Sequence, residues 1–202
     1  MVDRLRQMLR ESEVDVPAIE AYLDGLDGDA RIAEVTGLGR REQRRLYAAA
    51  EGHRVLRVSD LVPTSTAPLT EVVFEGCNTL PAFTRFAKVL CRPDSASDPE
   101  AAAAGELWGY NRNSNFVETV VGPGFFVAAD HGESEVLVDY LRVPPRRPDH
   151  WPPIRENHTR LSFFVYNGTQ DVLRGVSEHV SIGRASRRGR LMNIWFVLCR
   201  AD

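Results

Sequence analysis

Apolar side chains recur at helical spacing through the first quarter of the chain. Leu5, Met8 and Leu9 form one short stripe, and Ile19, Tyr22, Leu23 and Leu26 form a second. Pro17 suits the first turn of that second helix, where a missing N–H costs nothing. Asp29 is placed to cap a third, short helix carrying Ile32 and Val35. Gly37 and Gly39 mark a turn, and RREQRRLYAAAEG predicts a helix ending at Gly52.

Beyond Gly52 the period shortens. Residues 54–62 alternate Val55, Arg57 and Ser59 against Leu56 and Val58, and residues 63–68 read as a turn-rich loop. Strands are predicted over 70–76, 85–92, 106–111, 115–121, 124–129, 135–143 and 161–166. GPG at 122–124 and HGES at 131–134 separate neighbouring strands at hairpin distance. Five prolines between 144 and 160 deny that stretch ladder hydrogen bonds, so it reads as a long crossing. In TQDVLRGVSEHV, residues 169–180, Leu173, Val176 and Val180 stand at helical spacing behind a Thr169 cap, and a helix is expected. From His179 onward the pattern is strand, arginine-rich turn, strand.

Helices first and antiparallel strands afterwards predict an α+β fold. Short N-terminal helices occupy 1–52, and a curved, mostly antiparallel sheet or partly closed barrel occupies 53–202, all in one structural domain. The missing βαβ alternation argues against a doubly wound nucleotide-binding sheet.

Composition then narrows the function. No apolar run approaches the roughly 20 residues that span a bilayer, and the charged start MVDRLRQMLRESEVDV has no signal-peptide core. The expectation is a cytoplasmic protein with no membrane partner. A net charge of −3 argues against attraction of nucleic acid to the whole surface. Cys77, Cys91 and Cys199 form no CxxC pair, and Cys91 and Cys199 lie in apolar runs, so reduced, buried thiols are expected and no metal site is. Arginine supplies 24 of the 25 Lys and Arg residues, so any lysine chemistry must use Lys88. Within FTRFAKVLC its stem is expected to lie over apolar neighbours.

The candidate chemistry lies where polar groups interrupt apolar strands. Asp139 in VDYLR shares a face with Leu137 and Leu141. If that face is the core, burial raises the carboxyl pKa and makes Asp139 a candidate acid or base; the structural alternative is a pair with Arg142, Arg184 or Arg112. His179 in SEHVSIG shares a face with Ser181 and Gly183 and is the second candidate. WGYN places Trp108 and Tyr110 on one face and Gly109 and Asn111 on the other. Trp108, Tyr110, Tyr140 and Tyr166 are the expected pocket lining, with Arg184 of the basic turn GRASRRGR as a further ligand contact. Trp151, between prolines, is expected to plug the end of the sheet.

Two kinds of protein fit these features best. One is a small-molecule-binding protein, or an acid–base enzyme of the isomerase, cyclase or hydratase kind. The other is a non-enzymatic assembly protein, such as a homodimer, that covers the short N-terminal stripes. A flavin- or haem-binding split barrel is a third reading, and the residues identify no cofactor.

Overall fold

Two aspartates begin the helical part. Asp15 accepts a hydrogen bond from the backbone N–H of Ala18 at 2.9 Å, and Asp27 accepts one from Ala30 at 2.8 Å. They cap α2 (Val16–Asp24) and α3 (Gly28–Thr36), which follow a single-turn α1 (Arg4–Met8) and precede α4 (Arg40–Ala49). The cap of α3 is thus Asp27; Asp29 lies inside the first turn, where its charge still favours the helix N-terminus. The structure is a computed structural model that describes residues 3–96, 98–112, 123–154 and 168–201. Among these residues no helix is long and apolar enough to cross a membrane.

The remaining elements are α5 (Val58–Leu61), β1 (Val72–Asn78), β2 (Arg85–Cys91), α6 (Pro99–Ala103), β3 (Leu107–Arg112), β4 (Phe125–His131), β5 (Glu135–Asp139), β6 (Thr169–Gly175), β7 (Val180–Arg187) and β8 (Arg190–Arg200). Each strand pairs antiparallel with the next, and β8 returns to β1, so the eight strands close into a barrel. Among the described strands, closure leaves no unpaired sheet edge. The α+β architecture expected from the sequence is therefore present, with full closure.

One element differs in kind. Residues 169–175 form β6, where a helix was expected. The segment is hydrogen-bonded on both sides, to β5 and to β7, and its burial alternates with period two. Ladder bonds on both sides outweigh a helical spacing that rests on three apolar residues. The strand predicted over 135–143 ends at Asp139, whose carboxylate turns the chain by accepting from Leu141 N–H at 2.9 Å. The strands predicted at 115–121 and 161–166 lie outside the described residues.

Both faces of the barrel wall are covered. Outside β7, β8 and β1, Ile182, Trp195, Val197 and Cys199 pack with Leu5, Ile19, Leu23, Val35 and Leu46 of the helical part. Outside β2, β3 and β4, Val89, Trp108, Tyr110, Phe125 and Val127 pack with Trp151 of the proline-rich crossing. Trp151 therefore covers the side of the sheet, with its ring centroid 4.8 Å from that of Tyr110; the end-plugging role belongs to another segment. That segment is α5. Leu56, Leu61 and Val62 join the interior cluster, and Val58 N–H donates to Asp130 at the end of β4 at 2.8 Å.

Three glycines shape the interior. Gly76, Gly109 and Gly183 stand directly opposite Phe86, Phe126 and Phe196 on neighbouring strands. An eight-stranded barrel has room inside for little beyond side chains or one small ligand, and removing a Cβ opposite each ring lets the ring lie against the wall.

Candidate functional site in the barrel interior

The alternation of β2 sends Phe86, Lys88 and Leu90 inward. The chain's only lysine is thus on the barrel axis side of the wall, 2 % exposed. Directly opposite it on β3 is Asn111, also buried. Asp171 comes inward from β6, and Tyr140 enters just past the end of β5.

The four polar side chains bond to one another. Lys88 Nζ donates to Asn111 Oδ1 at 3.1 Å and to the Tyr140 hydroxyl oxygen, and lies 3.6 Å from Asp171 Oδ2. Asn111 Nδ2 donates to the same hydroxyl oxygen at 2.9 Å, and the Tyr140 O–H bonds to the Asp171 carboxylate. The phenol therefore accepts from an amine and an amide while donating to a carboxylate. Around Lys88 Nζ stand the rings of Phe126, Tyr140, Phe196 and Phe86, with centroids at 4.7, 4.9, 5.2 and 5.8 Å. At these distances the ring faces also stabilise the ammonium.

Burial pushes both charged partners toward neutrality. Desolvation lowers the Lys88 pKa from 10.5 to about 8, against the opposing pull of Asp171. Desolvation raises that of Asp171, against the opposing pulls of Lys88 and Tyr140. The site thus holds a readily deprotonated amine, a reluctantly ionised carboxyl and a hydroxyl bridging them. Further along the interior face of β7, the Ser181 hydroxyl is buried with no hydrogen-bond partner among the described residues.

The residues singled out from the sequence are only partly brought together. Tyr140 joins the interior set. Trp108 and Tyr110 point outward to Trp151, because Gly109 and Asn111 take the inner face of β3. Arg184 also points outward, 5.1 Å from the Trp195 ring centroid, with its Nε donating to Met192 O at 2.8 Å. Asp139 is the last residue of β5, its carboxylate accepting from Leu141 N–H, and His179 precedes β7, its Nδ1 2.7 Å from Arg200 Nη2. Asp139 aligns through Gln170 with Ser186 near the far end of β7, six residues from Val180. That is about 20 Å of strand, so Asp139 and His179 do not share a site. Tyr166 lies outside the described residues.

Comparisons with protein families, with curated proteins and with solved structures return no match for this chain. The site therefore rests on its own geometry.

Asn111 and Asp171 are the members that the sequence did not single out, and Lys88 was singled out only as the one lysine, with its stem expected over apolar neighbours. For Lys88 a signal was present: a lone lysine alternating in step with Phe86 and Leu90. For Asp171 it was concealed by the helical reading of 169–180; a period-two reading places Thr169, Asp171, Leu173 and Gly175 on one face. Among the described residues, no group of three or more His, Cys, Asp or Glu side chains is arranged to hold a metal ion.

Proposed function

We propose that the barrel interior is a small-molecule site whose Lys88, Tyr140 and Asp171 carry out proton transfer on the bound compound. The observation that carries this reading is the single one of Lys88. The chain's only lysine is buried in a closed barrel, with a phenol and a carboxyl within bonding reach. A purely structural role is an expensive use of such a pair, since apolar side chains of similar volume generally stabilise a core as well or better. A buried amine of depressed pKa beside a hydroxyl is suited to general acid–base work near neutral pH.

The lining also restricts the ligand. Lys88 and Asn111 offer N–H donors suited to a carbonyl or hydroxyl oxygen, and four aromatic rings offer contact to a compact apolar remainder. Proton transfer next to a carbonyl, as in isomerisation, cyclisation or hydration, matches that set. The assembly reading has lost its main motive, because the N-terminal stripes are covered within the chain.

Thermal-shift measurements with small aldehydes, ketones and alcohols test the proposal, with native mass spectrometry of the purified chain to detect a retained ligand. A compound that raises the Tm of the wild type but not of a folded Tyr140→Phe variant supports it. Equal shifts in both proteins, or none with any compound, count against it.

A further inference from the structure

We propose that Lys88 is an imine-forming nucleophile, so that the barrel captures a small aldehyde or ketone covalently through Nζ. The inference rests on the interior-site reading and names its substrate class as carbonyl compounds.

Imine formation needs four things, and the tetrad supplies them. It needs an amine with a free lone pair, and removal of Lys88 from water disfavours its charged form, outweighing the opposing pull of Asp171. It needs a proton donor for the carbonyl oxygen, and the Tyr140 hydroxyl is already hydrogen-bonded to Nζ. It needs an acceptor for the protons that nitrogen sheds, and Asp171 Oδ2 is 3.6 Å away. It needs low water activity, because an imine hydrolyses, and the surrounding rings and the α5 plug exclude water. The buried Ser181 hydroxyl, which has no partner among the described residues, is an additional interior group for a polar substituent of the ligand.

The step balances without any redox partner. The Nζ lone pair forms the C–N bond while the carbonyl π pair moves to oxygen, which takes the Tyr140 proton. Nitrogen gives one proton to Asp171, and Asp171 returns one to Tyr140 through their existing hydrogen bond. The carbinolamine hydroxyl then takes the Tyr140 proton and leaves as water while the nitrogen lone pair forms C=N, and the second nitrogen proton passes to Asp171 and from it back to Tyr140. Amine plus carbonyl becomes imine plus water.

Having a single lysine makes the test direct. The wild-type chain is incubated at pH 7 with propanal or benzaldehyde and cyanoborohydride, and labelled residues are located by peptide mapping. The N-terminal amine serves as internal reference, and a urea-unfolded sample as control. A pKa of about 8 in place of 10.5 leaves about 300-fold more free amine at pH 7. The expected result is Lys88 labelling at least 10-fold faster in the folded chain than in the unfolded one. A Tyr140→Phe variant that folds is expected to label at least 10-fold more slowly; an unchanged rate overturns the proton role given to Tyr140.

Protection of Lys88 in the folded chain overturns the imine. Benzyl alcohol, which has no carbonyl, separates the two ideas in that event. If it still raises the wild-type Tm in a Tyr140-dependent way, the interior site stands without covalent capture. If it does not, both readings fall.

Discussion

The ring of Phe196 lies across Gly183 on the adjacent strand, so closely that a Cβ on Gly183 would stand 2.2 Å from Cζ of the ring. The same relation holds for Gly109 and Phe126 at 2.4 Å and for Gly76 and Phe86 at 2.9 Å. All three rings also approach Lys88 Nζ. The glycines thus position the aromatic wall of the interior site, and do so through space they leave empty rather than through backbone freedom.

Alanine at these positions is expected to destabilise the fold. Gly183→Ala must displace a buried ring, at a cost of about 2 kcal/mol, in the range of core overpacking. Gly109→Ala is expected to cost more, because its Cβ also meets the backbone oxygen of Val89 at 2.9 Å. Urea unfolding of the variants measures both. Gly183→Ala combined with Phe196→Leu is expected to lose less than the sum of the two single changes; strict additivity would show that the ring and the glycine are not coupled.

Lys88 and Asp171 form a second coupled pair. Lys88→Met leaves a buried carboxyl without its cation, and Asp171→Asn leaves a buried ammonium without its anion. Each single change is expected to cost about 3–5 kcal/mol, and the double change to recover most of that loss. A double-mutant cycle by denaturant titration gives the coupling directly. Zero coupling would mean that the two charges do not sense each other across 3.6 Å.

Stability is expected to depend on pH through the same lysine. Below about pH 8 Lys88 is protonated in both the folded and unfolded chain, and the folded state bears the full cost of its buried charge. Between about 8 and 10.5 the unfolded chain holds a proton that the folded chain has lost, so this contribution to stability rises with pH. Above 10.5 both forms are neutral and the cost is gone. Over the window the gain is about 3 kcal/mol. Tyr22, Tyr47, Cys77 and Cys91, whose pKa values are raised mainly by burial, act with the opposite sign at alkaline pH. The difference between wild type and Lys88→Met/Asp171→Asn therefore isolates the lysine; a difference that stays flat from pH 7 to about 10 contradicts the assignment.

The cysteines provide a check on the barrel wall. All three are buried thiols, and burial pushes the Cys91 thiol up to about 12. The thiolate is the reactive form. An aromatic disulfide reagent at pH 8 is expected to modify none of them in minutes in the native chain and all of them in urea. Rapid native modification of Cys91 would show that the β2–β3 outer face is open.

Much of the architecture is legible in the sequence. Helical stripes, alternation along most strands and the arginine-rich hairpin turn all follow from local patterns. Arg188 and Gly189 do adopt positive φ, 51° and 74°, as a tight hairpin demands. Alternation also correctly separated Trp108 and Tyr110 from Gly109 and Asn111. What it could not determine is which set faces inward, because both faces of this wall are buried, one inside the barrel and the other under helices or the proline-rich crossing. A two-residue period has no sign when both sides are apolar. The interior site was hidden for a related reason. Its members come from four separate stretches of chain, with a sequence separation of 23 from Lys88 to Asn111 and of 52 from Lys88 to Tyr140. Only barrel closure, decided by strand pairing across the whole fold, brings the lone lysine to the tyrosine and the aspartate that set its chemistry.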